Sequence, residues 1–190
     1  MKKKVILTVI VLVFILVGII LVATLNSNSS GEKLETAKDV KNMLDTVYSN
    51  LEGQVPSLET QEMDVTDSMQ VSAYTGLKSN ENVEMLVVSE PMMSSQAYSF
   101  VAVKVKNTAN IEEMKQEMLD NIDTNKWICV SASKVYVTNC GNTIVLVMAS
   151  EEWAKPVYDE VKTYLNGNVG KELEKDATED IELPPEIIIE

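Results

Sequence analysis

Residues 5–25 are apolar apart from Thr8, Gly18 and Thr24, and three lysines, Lys2, Lys3 and Lys4, stand directly before them. At ~1.5 Å per residue, roughly 21 helical residues reach about 31 Å, the thickness of a bilayer's hydrocarbon core. A secretory signal peptide shares the basic start but has a shorter apolar stretch and a small-x-small cleavage site. Leu21, Val22, Ala23, Thr24 and Leu25 make a poor site, and no cysteine follows for lipid attachment. The run is therefore expected to be a retained transmembrane helix, and the membrane is its first partner. Its lysines stay in the cytoplasm and Asn26 to Ser30 form a polar linker on the far side. The triplet Asn28-Ser29-Ser30 fits a glycosylation acceptor only by coincidence of composition.

The remaining chain is acidic in an unusual way. All 16 basic residues are lysines and histidine is absent; beyond Lys4, 13 lysines face 29 carboxylates, a formal charge of −16. A nucleic-acid partner is disfavoured, because phosphates need a basic footprint. The excess charge serves solubility, repulsion from an anionic membrane, or attraction of cations and basic partners. With aromatics at 5%, no aromatic cage or base-stacking platform is expected.

Periodicity predicts a helix over residues 32–51, where Leu34, Ala37, Val40, Leu44, Val47, Tyr48 and Leu51 share one face and Gly53 and Pro56 end it. Residues 57–80 carry a weak signal, with a short helix over 67–74 closed by Gly76. Residues 83–88 read as a buried strand ended by Glu90-Pro91, and 98–106 as an alternating one with Val101, Val103 and Val105 inward. Asn110 opens a helix to about residue 124, with Glu113 completing a capping box. Strands follow at 127–130, 134–138 and 143–149; turn residues at 139–142 join the last two into a hairpin. The last strand is apolar on both faces and belongs at the centre of its sheet. Ser150 caps a final helix that ends at Gly167, and Pro156 either kinks it or marks its true start.

The expected fold class is α+β: an N-terminal transmembrane helix, then one small domain in the order α-β-β-α-β-β-α, with helices on one face of an antiparallel sheet. The chain divides into a basic end (1–4), the span (5–25), the linker (26–31), an extracytoplasmic domain (32–167) and an acidic tail (168–190). The pattern from Leu86 to Val105, with Glu90-Pro91-Met92-Met93 between two apolar strands and a helix opening at Asn110, resembles the bacterial domain-of-unknown-function family 4358. The likeness extends over roughly residues 34–165. It implies a small α+β domain on a secreted, lipid-anchored or membrane-anchored protein of Gram-positive bacteria, and it brings no established activity. An uncleaved helix here replaces the lipid-attachment cysteine of some relatives.

The side chains exclude much chemistry. Without histidine, Cys129 and Cys140 cannot build the usual structural zinc site, and no Ser–His or Cys–His pair exists. No EF-hand spacing is present, so the acidic residues read as a solvated face. Ser131 stands three before Lys134, but a turn into a strand does not orient a dyad. A carboxylate pair for glycoside cleavage lacks aromatic sugar platforms, since Trp127 and Trp153 are expected in the core. Gly167 and Gly170 follow a helix instead of preceding one, and without arginine no bidentate clamp exists. No cofactor is implied.

Two segments suit binding. The loop holding Met92 and Met93 fits adaptable recognition, although the plainer expectation is that one or both fill the core. Near the C-terminus, Pro184-Pro185 precedes Ile187, Ile188 and Ile189, which suits addition to a sheet edge in this molecule or a partner. Cys129 is expected to face about Val137, which favours reduced cysteines; a Cys129–Cys140 disulfide is the alternative. The function expected is that of a non-enzymatic interaction module at the cell envelope, in contact with an envelope protein. The alternative is a receptor for a small ligand or cation, or an enzyme, with a carboxylate-lined pocket.

Overall fold

A computed structural model describes residues 33–177; the apolar run and the three isoleucines lie outside them. Contacts divide the chain into Met1–Glu32 and Lys33–Glu190, and the described residues all belong to the second unit.

Thr36 opens the first helix, α1 (Ala37–Asn50), with a reciprocal box. Its hydroxyl accepts from the Asp39 N–H at 3.2 Å, and the Asp39 carboxylate accepts from the Thr36 N–H at 2.8 Å; each bond satisfies a donor that a helix start leaves unpaired. Next come β1 (Leu58–Glu62), α2 (Ser68–Thr75), β2 (Val83–Pro91), β3 (Tyr98–Val105) and α3 (Ile111–Asn121). The chain closes with β4 (Lys134–Cys140), β5 (Thr143–Ala149), α4 (Glu151–Tyr164) and β6 (Leu173–Asp176). The strands form one sheet in the order β1-β2-β3-β5-β4-β6, every neighbour antiparallel. As expected from its unbroken apolar run, β5 is interior and buried throughout.

The hairpin between β4 and β5 turns on Gly141 and Asn142. Gly141 takes φ +56°, the positive first loop position that suits the right-handed twist of paired strands. A second positive glycine, Gly76 at φ +75°, ends α2. A Cβ there would meet the backbone N of Ile122 at 2.7 Å, so glycine lets the α2 terminus lie against the end of α3.

Helices cover both faces of the sheet, where the sequence pattern predicted one. On the first face, α1 and α4 pack over Val87, Phe100, Ala102, Val145 and Val147. On the second, α2 and α3 pack over Leu86, Val88, Val101, Val103, Leu146 and Met148. The reason is the alternation itself. Strands β3 and β5 are apolar on both sides, and a single helical layer would leave Val101, Val103 and Leu146 in water, at ~1.5–3 kcal/mol for each large side chain.

Two edge strands depart from the predicted order. β1 falls in the weak stretch, and β6 in the segment read as tail. Leu173 to Asp176 pair with Val137 to Lys134, so the domain reaches past residue 167 and its own chain takes up the β4 edge. Residues 127–130 form no strand: Cys129 adopts φ +61°, a left-handed conformation that breaks an extended run. The helix after Asn110 stops at Asn121, short of the predicted end. Pro156 lies inside α4, which begins five residues earlier at Glu151 and runs through it. Ser150 sits at its N-cap but makes no side-chain capping bond; Ser133 Oγ accepts from the Glu151 N–H at 3.1 Å instead.

The two ends of the described chain lie at opposite ends of the strands. Leu34 enters beside the start of β5, its carbonyl accepting from Thr143 Oγ1 at 2.5 Å. Ala177 leaves at the far end, its N–H donating to the Ser133 carbonyl at 3.0 Å.

Candidate functional site

The far end of the sheet carries the candidate site, built from two connections. Residues 92–97 join β2 to β3, and residues 122–133 join α3 to β4. The Ile128 N–H donates to the Ser94 carbonyl at 3.0 Å and ties one connection to the other. Lys126 adds a second tie, its amine 2.5 Å from Glu90 at the end of β2. The Lys126 amine also lies 5.1 Å from the Tyr74 ring centre and 5.2 Å from that of Trp127, and it donates to Ser99 Oγ at 3.3 Å. An ammonium between two ring faces, with a carboxylate in contact, fixes the loop on which it sits.

Three large apolar side chains project from this fixed pair of loops: Met92 is 81% exposed, Met93 62% and Ile128 65%. The core-filling expectation for the methionines is thus overturned. Tyr98 and Phe100 already occupy the interior just beyond the loop, and residues 92–95 are exposed together. Ile128 was missed in the sequence, because a strand over 127–130 would have buried it. The left-handed Cys129 turns it outward, and one isolated sequence offers no signal for that.

Cys129 is exposed and Cys140 buried, with no disulfide between them. Cys129 lies in the far-end loop and Cys140 at the opposite end of β4, a strand of 7 residues. At ~3.4 Å per residue a bond between them would have to cross the sheet's length. Burial pushes the Cys140 thiol above its usual range.

Near Ser131 and Lys134, the spacing set aside as a dyad, the side chains make other bonds. Lys134 pairs with Asp176 at 2.7 Å, and Ser133 is committed to the start of α4. Ser99 and Lys126 do meet, with the amine donating to Ser99 Oγ and paired with Glu90.

A cleft of about 420 Å³ opens between α4 and the β4–β6 edge, lined by Tyr136, Tyr158, Asp159, Lys162, Glu172 and Glu174 among others. Tyr136 and Tyr158 stack with centres 4.7 Å apart. Burial raises the Tyr158 hydroxyl well above its usual range, with Glu172 adding to the shift. The cleft's charges neutralise one another: Lys155 holds Asp159 at 2.7 Å and Lys162 holds Glu172 at 3.1 Å. The Lys162 hydrogen bond keeps Glu172 below the usual carboxylate range. Among the described residues no group of three or more carboxylates and cysteines is arranged to hold a metal ion, and no helix is long and apolar enough to cross a membrane.

No protein-family model, curated protein or solved structure matches the chain.

Proposed function

We propose that this chain is a membrane-anchored, extracytoplasmic interaction module that makes protein contacts through Met92, Met93 and Ile128. The observation that carries the reading is the joined loop pair: three exposed large apolar side chains are held in place by an ion pair and a backbone bond before any partner arrives. Preorganisation of this kind lowers the ordering cost of association, and methionine adapts to a partner's surface. The location rests on residues 5–25 and the lysines before them.

The two cysteines provide a test. A membrane-impermeant maleimide applied to intact cells should label one thiol per chain, and Cys129→Ser should abolish the labelling. Labelling that requires lysis would place the domain inside and end the reading. For the contact itself, a photo-crosslinking residue at Met93 should yield a discrete product on living cells, whereas one at the exposed Met69 of α2 should not. Equal capture at both positions would mean chance collision.

A small-ligand receptor is the second reading, favoured by the cleft beside Tyr158. It ranks lower because the carboxylates there are already taken up by lysines.

A further inference from the structure

Lys115 lies on α3 with its side chain wholly buried. Its amine has three neighbours: the Asn139 side-chain carbonyl at 2.8 Å, the Lys171 backbone carbonyl at 2.7 Å and the Glu112 carboxylate at 2.8 Å. The Asn139 carboxamide is oriented from its other side, since its NH2 donates to the Gly141 carbonyl at 2.9 Å. An amine, a carboxamide carbon and a carboxylate are the three groups needed to exchange one amide for another. Here the Lys115 amine touches both of the others, on the side of the sheet that buries Met114, Met118, Val135 and Val137.

We propose that Lys115 and Asn139 join through a self-formed amide cross-link, with Glu112 as the proton carrier. Glu112 takes one proton from the Lys115 ammonium, and rotation about Cε–Nζ turns the freed lone pair toward Asn139 Cγ. The new N–C bond forms as the C=O π pair moves onto Oδ1. Glu112 then moves a proton from the attacking nitrogen to Nδ2. The carbonyl reforms, the Cγ–Nδ2 bond breaks, and the leaving nitrogen departs as ammonia, which is protonated to ammonium by the proton first taken from Lys115. The products are a Lys115–Asn139 amide and one ammonium ion, with Glu112 restored; no oxidant or reductant takes part. Three conditions favour the step. The reacting groups are held together by the fold, which replaces a collision by a positioned contact. The amine is shielded from water, which would otherwise compete. Glu112 is half exposed on its outer side, so a buried reaction keeps a route for proton and ammonia. Only one turnover is needed in the lifetime of each molecule.

The cross-link would clamp α3 to β4. It is independent of the interaction reading, and either can fail alone. Intact-mass measurement of the purified full chain decides it. The expected mass is lower than that of the sequence by one ammonia, and a digest should contain a branched peptide joining residue 115 to residue 139. Lys115→Met and Asn139→Ser should each restore the sequence mass, and Glu112→Gln should slow or abolish the loss. Should those buried variants fail to fold, the unaltered chain still answers. The full sequence mass in folded protein overturns the proposal, as does an ammonia loss that maps elsewhere, for example to Asn166-Gly167.

Discussion

The two faces of the sheet are closed by different means. The first lies under α1 and α4, each of 14 residues, whose Val40, Met43, Leu44, Val47, Val157 and Val161 are fully buried. Four of its hydroxyls satisfy one another. Tyr48 meets Ser89 and Tyr98, each at 3.0 Å, and Thr60 reaches Ser89 at 3.0 Å. The second lies under helices of 8 and 11 residues, and there lysines help to complete the cover. Lys115 extends its stem inside, and Lys126 fits between two rings. Where helices are long, charge stays at the margin of the face, where Lys134 lies over Tyr136 and pairs with Asp176. Where they are short, long charged side chains fill the gap with their methylenes, and their ends then require carbonyls or carboxylates.

The largest effect should be common to both faces, because the apolar interior is equally dry. Phe100→Ala on the first face should cost ~3–5 kcal/mol and Leu146→Ala on the second ~2–5 kcal/mol, read from urea unfolding. A cheap Leu146→Ala would mean that the second face can collapse around the loss. Next, Gly76→Ala concerns the second face alone. It combines a left-handed position, worth ~1–2 kcal/mol, with contact against the α3 backbone, so the total should exceed that range. A loss below 1 kcal/mol, a limit set by that same ~1–2 kcal/mol cost, would mean that the two helix ends lie further apart.

Alkali should separate the faces. Burial pushes the Tyr48 hydroxyl from 10.0 up to about 12 and raises that of Tyr98 further. A raised tyrosine favours the folded, protonated form, so its contribution is complete below pH ~10 and is lost as pH climbs through about 12. The part due to Tyr48 is ~2–3 kcal/mol. Urea midpoints should fall across that window, and Tyr48→Phe should flatten the decline; an unchanged decline would assign it to groups other than Tyr48. A smaller effect, ~1 kcal/mol, is expected from Lys126→Met on the second face, together with a change in Trp127 fluorescence. Smallest of all, Met93→Ser should alter stability by less than ~0.5 kcal/mol while removing the crosslinked product described above.

Much of this contrast was legible beforehand. The double-sided apolar run of β5 announced its interior place, and the Gly141 turn announced the hairpin. The same double-sidedness implied a second helical layer, but α2 is short and its apolar positions do not form a strong stripe, so its face could not be assigned. The edge strands escaped for a different reason. In β1, Leu58, Glu59, Thr60, Gln61 and Glu62 carry almost no apolar signal, and in β6 only Leu173 is apolar, so both owe their conformation to the neighbouring strand. Met92 and Met93 were visible as a pair of residues, but their exposure was not. That depends on Tyr98 and Phe100 filling the interior first.

The placement of Leu34 and Ala177 at opposite ends of the strands has a mechanical consequence. A pull applied between them runs nearly along the strand axes. The hydrogen bonds between β4 and β6 then carry the load together, in shear, instead of opening one after another as in a zipper. Such a domain transmits tension from one terminus to the other with little extension. The first part to yield should be β6, the shortest strand, held by four residue pairs and by the grip of Lys134 on Asp176.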